Sequence, residues 1–331
     1  MLGQEIGSLE TVPSVNHFKR VTFSVDGIDI AATSQKRNFN KEKVNLAVRQ
    51  ALGLWSAVAP VDFQSPIVGE KAAIRIHFVK DGNKSEEVGL TGGSILNGGI
   101  AIISMDCDNQ LFIDRFLEAD QFPGNPSFDL IGFLGHEVGH ALGLDHIPGG
   151  LMQASLNTGV LRRLFPPDIR EVQKLHGALH LATTAKANLA DTAQLINASP
   201  GIVLQKGAFG LVVFGPMETK TLLDVLVPAK GLVANALRLK YTTVTANVFV
   251  NQVETFDGLI PIQRFAVSSR SSIDAGLAGK RSNLQFGFVP RRPMRNDMLV
   301  RIEIHFTKKD GHPASDFGVV QVDEVSVETI S

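Results

Sequence analysis

Residues 136–146 read HEVGHALGLDH, and no other stretch constrains the fold of this chain as tightly. On a helix, His136 and His140 project from one face, one turn apart, so their imidazoles can share a cation. A catalytic zinc takes three protein ligands and keeps a fourth position for water. His146 cannot supply the third ligand from a continuing helix, because it would point elsewhere. Gly143 provides the break: a glycine adopts φ > 0 without steric cost, so the chain can leave the helix and bring His146 back to the metal. Any fold for this sequence must therefore place a helix, its terminating turn and the residues just beyond around one point.

Glu137 follows the first ligand and need not touch the metal. Zinc lowers the pKa of a water to about 7. Glu137 is placed to hold that water, take its proton and hand it to a leaving amine, which is peptide-bond hydrolysis without a covalent intermediate. A lone HExxH also arises in helices whose histidines are merely surface or core residues. The glycine and the third histidine at fixed offsets favour the metal reading. A structural zinc is disfavoured because Glu137 is present and no fourth Cys or His lies nearby in sequence.

The 331 residues suffice for two ordinary domains. With 44% hydrophobic and 20% charged residues the composition is that of a globular protein, and the net charge of −1 gives no general attraction to nucleic acid or anionic membrane. Cys107 is the only cysteine, so no intramolecular disulfide forms, and it reads as a partly buried thiol. No apolar run reaches the roughly 18 residues of a membrane span. Residues 1–14 carry Glu5 and Glu10 and lack the apolar centre of a secretory signal.

Up to about residue 180 the pattern is α+β. A strand is predicted within 20–30, and a helix over 40–58 capped by Asn40, with Val44, Ala47, Val48, Ala51, Leu54 and Trp55 as its buried stripe. A strand at 72–79, a glycine-rich loop at 81–99 and a strand at 100–105 follow. The motif helix is predicted over 128–142, with Ser127 as cap and Gly143 as terminator, and another helix over 168–176, opened by Pro166 and Pro167. Residues 178–200, rich in Ala, Thr and Asn, read as a connector. Beyond Gly201, short alternating segments separated by Gly, Pro, Asp and Asn suggest a β-sandwich. The expected division is a peptidase-like domain at 1–180, a linker at 181–200 and an all-β sandwich at 201–331.

HExxHxxGxxH followed by a methionine is the metzincin signature, and Met152, in GGLMQ, falls where that group has its Met-turn, an apolar floor under the metal. Within the metzincins, residues 15–180 resemble the matrixins, the matrix metalloprotease family. VNLAVRQALGLWSAVAPVDF resembles the family's first helix, AAIRIHFV the strand after it, and PPDIREVQKLHG the closing helix. Astacins and serralysins place a tyrosine two residues after the methionine, where this chain has Ala154. The resemblance implies an α+β metzincin fold, a mixed twisted sheet with an active-site helix. It implies one catalytic zinc held by His136, His140 and His146, with Glu137 as catalytic base of an endopeptidase acting on proteins or peptides. It also implies secretion, although no signal peptide is read here. The short spacing from His146 to Met152 resembles a compact microbial version.

The resemblance further implies a substrate lying extended against a sheet edge within 88–95, so that Val88, Gly89, Leu90 and Thr91 bind it. Leu156, Val160 and Leu161 would line an apolar pocket beside His136, or simply pack in the core. The family's second, structural zinc is not expected, because 81–99 contains no histidine. Asp106, Asp108 and Asp114 would bind calcium as acidic residues do near this point in the family, or form a solvated acidic turn. In the all-β part, VDEVSVE resembles the last strand of jelly-roll binding modules. Carbohydrate modules usually present Trp or Tyr platforms, and this part has only Tyr241, so a protein ligand, a carbohydrate ligand and a structural role all stay open. The alternative for the whole chain is a binding or structural protein of a particle or toxin with a vestigial peptidase domain. The intact Glu137 and three histidines argue against that.

Overall fold

The structure is a computed structural model and describes residues 18–29, 31, 40–80, 89–107, 111–112, 128–156, 163–181, 183–207, 210–245, 248–267, 280–306 and 317–330. In the first part, β1 (Lys19–Asp26) lies between β2 (Val61–Gln64) and β3 (Ile74–Val79), and β5 (Ala101–Asp106) follows β3. These four strands are parallel, and β4 (Gly89–Gly92) joins the outer side of β5 antiparallel, as the last strand of the sheet. The alternation of IRIHFV in β3 sends Ile74, Ile76 and Phe78 into the core.

Helix α1 (Lys41–Ser56) begins where expected, since the Asn40 side chain accepts from the Lys43 amide at 2.8 Å. Its apolar stripe is buried, and Trp55 donates from Nε1 to the Gly135 carbonyl at 2.8 Å. That bond ties α1 to α2 (Leu130–Ala141), the motif helix. The cap of α2 differs from the expectation. Asp129, not Ser127, accepts from the Gly132 amide at 3.1 Å. Phe128 and Asp129 form a short strand, β7, paired with β6 (Leu111–Phe112), which keeps this stretch extended and delays the first turn. Ser127 lies outside the described residues. Helix α3 (Pro166–His176) opens on its two prolines, two residues before Asp168.

The remaining elements form two antiparallel sheets. One runs β10 (Val203–Gly207), β11 (Gly210–Pro216), β18 (Phe317–Ile330), β13 (Val233–Thr243), β16 (Lys280–Pro293), with β8 (Thr183–Lys186) also paired to β18. The other runs β15 (Ile260–Ala266), β14 (Val248–Asp257), β17 (Met298–Phe306), β12 (Thr219–Val227), β9 (Gln194–Ile196). Inward residues from both, among them Leu239, Val325, Val225 and Ile302, make one buried cluster. Segment 181–200, expected as a linker, carries β8, the short helix α4 (Leu189–Thr192) and β9, so it contributes a strand to each sheet. Its Ala-, Thr- and Asn-rich composition hid this: strands this short take their register from backbone bonds to β18 and β12 rather than from a pattern of their own.

The two parts meet along α1. Gly53 faces Gly287 so closely that a Cβ at Gly53 would come within 2.6 Å of the Gly287 carbonyl oxygen. The Gln50 side chain donates to the Ala266 carbonyl at 2.9 Å and accepts from its amide at 3.0 Å, continuing β15 as a strand would. Arg291 reaches the end of α1, donating to the carbonyls of Ser56, Ala59 (3.0 Å) and Val61 (2.6 Å) and to Asn235 Oδ1 (2.6 Å). Burial lowers its pKa to about 10, so it stays charged at neutral pH, and the cation suits the negative end of the helix. Arg291→Ala should destabilise the protein by about 3 kcal/mol in chemical denaturation, since buried carbonyls would lose their donor. Arg291→Lys should recover only part of this, because an ammonium cannot reproduce the planar fork.

Candidate metal centre and cleft

Helix α2 presents His136, Glu137 and His140 toward a cleft, with His136 buried and His140 half-buried. His136 Nδ1 lies 2.8 Å from the Leu151 carbonyl and His140 Nδ1 lies 2.7 Å from the Leu144 carbonyl. A carbonyl oxygen only accepts, so each Nδ1 carries a proton and each neutral ring is left with a lone pair on Nε2. The two Nε2 atoms are 3.0 Å apart. Two lone pairs held that close repel, and a cation between them turns the repulsion into two bonds. His146 completes the group, its ring 5.4 Å from that of His136 and 4.8 Å from that of His140, and one ligand atom from each of the three residues lies within 4.8 Å of the others. Among the described residues no other group of His, Cys, Asp and Glu has this arrangement. The donor set fits a zinc ion: three imidazole nitrogens, with the exposed His146 on the open side. Burial lowers the pKa of His136 to about 4, partly offset by its bond to Leu151, which keeps it a neutral ligand at ordinary pH.

The turn after α2 is built as the glycine predicts. The Gly143 amide donates to the His140 carbonyl at 2.8 Å and the Leu144 amide to the Gly139 carbonyl at 3.0 Å, with Gly143 at φ 98°. This pair of bonds is a Schellman motif, which ends the helix and redirects the chain toward His146. Met152 is fully buried beneath the ligands, against α2 at Gly139, where a Cβ would collide with Met152 Sδ and come 2.7 Å from the Trp55 ring.

Asp168 holds this floor in place and was not legible as a site residue. Its carboxylate accepts from the amides of Leu151 (2.8 Å), Met152 (3.1 Å) and Phe165 (2.8 Å) and is completely buried. In sequence it reads only as an acid in the first turn of a helix, where acids are common. The Leu151 carbonyl that orients His136 belongs to the segment whose amides Asp168 fixes, so the carboxylate acts on the ligand at one remove.

The cleft, of about 760 Å³, runs between α2, β4 and the segment 144–156. Gly89, Leu90, Thr91 and Leu156 line it together with Glu137 and the three histidines. Thr91 donates to the Glu137 carboxylate at 2.6 Å, a contact the sequence did not suggest. Phe133 and Leu96 line the cleft as well and were not anticipated. Val88, Val160, Leu161, Asp108 and Asp114 lie outside the described residues. Asp106 ends β5 and is buried, next to the buried Cys107.

Residues 21–177 match the matrixin family model. They form a matrixin-like domain. Matrix metalloproteinase-C of Caenorhabditis elegans is 28% identical over 173 residues, covering 48% of this chain and 28% of that protein. The macrophage metalloelastase of Oryctolagus cuniculus is 29% identical over 179 residues, covering 50% of this chain and 37% of the relative. The chain thus spans about a third of the length of these curated relatives. Among solved structures, the C-terminal carbohydrate-binding module of a marine laminarinase from Zobellia galactanivorans covers 44% of this chain and 99% of its own, at 7% identity and a TM-score of 0.28. A score that low carries no argument about fold or ligand. No helix among the described residues is long and apolar enough to cross a membrane.

The matrixin-like site has a pH dependence of its own. Free imidazole titrates near 6.5 and His136 near 4. Above pH 6.5 the ring is neutral folded or unfolded and contributes nothing. As pH falls from 6.5 to 4 only the unfolded chain takes the proton, so stability is lost across that window. The melting temperature of chelator-treated protein should therefore fall between pH 6.5 and 4, and fall less in His136→Gln.

Proposed function

We propose that this chain is a zinc-dependent endopeptidase in which His136, His140 and His146 hold the metal and Glu137 is the general base. The observation that carries the reading is the pair of imidazole Nε2 atoms 3.0 Å apart, beside a carboxylate and at the bottom of an open cleft. When bound, zinc supplies a water of lowered pKa and polarises the substrate carbonyl. Everything else falls to the chain. Glu137 takes a proton from the water and returns it to the leaving nitrogen. His136 and His140 are oriented through the carbonyls of Leu151 and Leu144. Met152 and Trp55 keep the floor of the site dry.

The substrate in this reading is an extended peptide. β4 is the terminal strand of its sheet and borders the cleft, so a peptide can pair with it by strand addition while side chains select. Gly89, Leu90 and Thr91 would contact it from β4, with Val88 preceding them. Leu156, with Val160 and Leu161, would form an apolar pocket. The antiparallel sheets after residue 200 would form a jelly-roll-like sandwich that supports α1 or binds a further protein or carbohydrate. The family resemblance favours an extracellular site of action. Calcium at Asp106, Asp108 and Asp114 belongs to the same resemblance.

Glu137→Ala tests the reading. Zinc content and melting temperature should stay near wild type, because the glutamate is not a ligand and alanine suits a helix. Turnover of a peptide found by library cleavage should fall by about 10⁴-fold, the upper end for general-base catalysis. Near-normal turnover with full zinc would overturn the mechanism. A wild type that holds zinc and cleaves no peptide would favour a binding or structural role.

A further inference from the structure

We propose that Thr91 is a positioning residue for Glu137: its hydroxyl, presented by β4, holds the carboxylate of the proposed base at the cleft. The inference rests on the peptidase reading and adds a residue to it. Thr91 Oγ1 lies 2.6 Å from Glu137 Oε2 and 3.1 Å from the Glu137 main-chain carbonyl. A separation of roughly 2.5–2.7 Å is that of a hydroxyl donating to an ionised oxygen. The side chain of a glutamate has several rotamers open to it, and this bond selects one of them.

The two contacts give the hydroxyl a use at each stage of the reaction. It has one proton and two lone pairs, whereas a carbonyl only accepts. With Glu137 ionised, the Thr91 proton goes to Oε2. Once Glu137 carries the proton taken from water, a proton on Oε2 can be donated to Thr91 Oγ1, whose own proton then turns to the Glu137 carbonyl at 3.1 Å. When Glu137 releases its proton to the leaving nitrogen, the first arrangement returns. The proton count balances throughout, and Thr91 keeps its own proton.

A second, independent observation comes from Gly89, two residues earlier on the same face of β4. A Cβ there would lie 3.2 Å from Glu137 Cγ, 3.3 Å from Oε1 and 2.9 Å from Met105 Sδ. The strand thus passes so close to Glu137 that one position leaves room for it while the next on that face bonds it. The strand is itself fixed. Thr91 pairs with Ile103 and Leu90 with Ser104 on β5, and the Ile95 amide donates to the Ala141 carbonyl at the end of α2 at 2.8 Å. A group held from a paired strand keeps its place better than one held from a loop. The strand along which substrate is proposed to lie is thus also the one that sets the base.

The test compares Thr91→Val, Thr91→Ser, Glu137→Ala and the Thr91→Val/Glu137→Ala double variant in the full zinc-loaded chain, with zinc content and melting temperature measured on each. In Thr91→Val, kcat should fall by about 10- to 100-fold, the worth of one hydrogen bond to a charged group, while KM changes little. Thr91→Ser should restore most of the loss. In the Glu137→Ala background Thr91→Val should have no further effect, because it acts through that carboxylate. Binding gives a readout free of turnover. A peptide hydroxamate, which ligates zinc and gives its proton to a neighbouring carboxylate, should bind Thr91→Val about 10-fold more weakly, whereas a peptide thiol should bind both proteins alike. An unchanged kcat, a loss confined to KM, or an equal loss in the Glu137→Ala background would overturn the role. If the wild type holds zinc but cleaves nothing, the peptidase reading alone fails. The hydroxamate then decides: equal affinity for wild type and Thr91→Val overturns the role of Thr91.

Discussion

Three imidazoles meet at one point, positioned to bind a metal, and much of the first half of the molecule packs around them. Two come from one face of α2 and are brought within 3.0 Å of each other. Such an approach is unfavourable unless something holds it. The holding is done by backbone carbonyls at Leu151 and Leu144, which fix the Nδ1 protons and so aim the Nε2 atoms. Leu151 is in turn fixed by Asp168, whose buried carboxylate accepts three amides. Ligand, carbonyl, amide and carboxylate form one chain of dependence from α2 to α3.

The same economy of space governs the glycines that matter. Gly139 lets Met152 lie against the helix between the two ligand histidines, and Gly143 turns the chain at φ 98°. Gly89 lets β4 approach Glu137. At Gly139 a Cβ would collide with Met152 and Trp55, at Gly89 it would crowd Met105 and Glu137, and at Gly143 the positive φ itself disfavours any other residue.

The all-β part is coupled to this site through α1. Arg291, Gln50 and the Gly53–Gly287 contact join the second set of sheets to the helix whose Trp55 also bonds Gly135 on α2. One helix therefore carries the domain contact on one side and the metal helix on the other. Ala266 and Val289 accordingly belong to the buried cluster that surrounds Trp55 and Met152 rather than to the core of the antiparallel sheets.

The sequence alone located the three histidines positioned to bind a metal, the helix that carries two of them, the glycine turn that leads to the third and the buried methionine that follows. All are local in the chain, and their chemistry is set by spacing along a helix and by one residue's freedom at φ > 0. It also showed α1 through its cap and stripe, and the second half as strands through alternation. Tertiary structure decided the rest. Asp168 looks like a helix-opening acid until the Leu151 and Met152 amides are seen against it. Thr91 reads as part of a substrate-binding edge until α2 is laid beside β4, and Arg291 as one arginine of PRRPMR until it meets the end of α1, more than 200 residues away in the chain. Segment 181–200 looked like a linker because its strands are ordered by partners far along the chain. A hydrogen-bond donor or acceptor carries no mark in sequence of which distant group will satisfy it, so these roles exist only once the fold has brought the partners together.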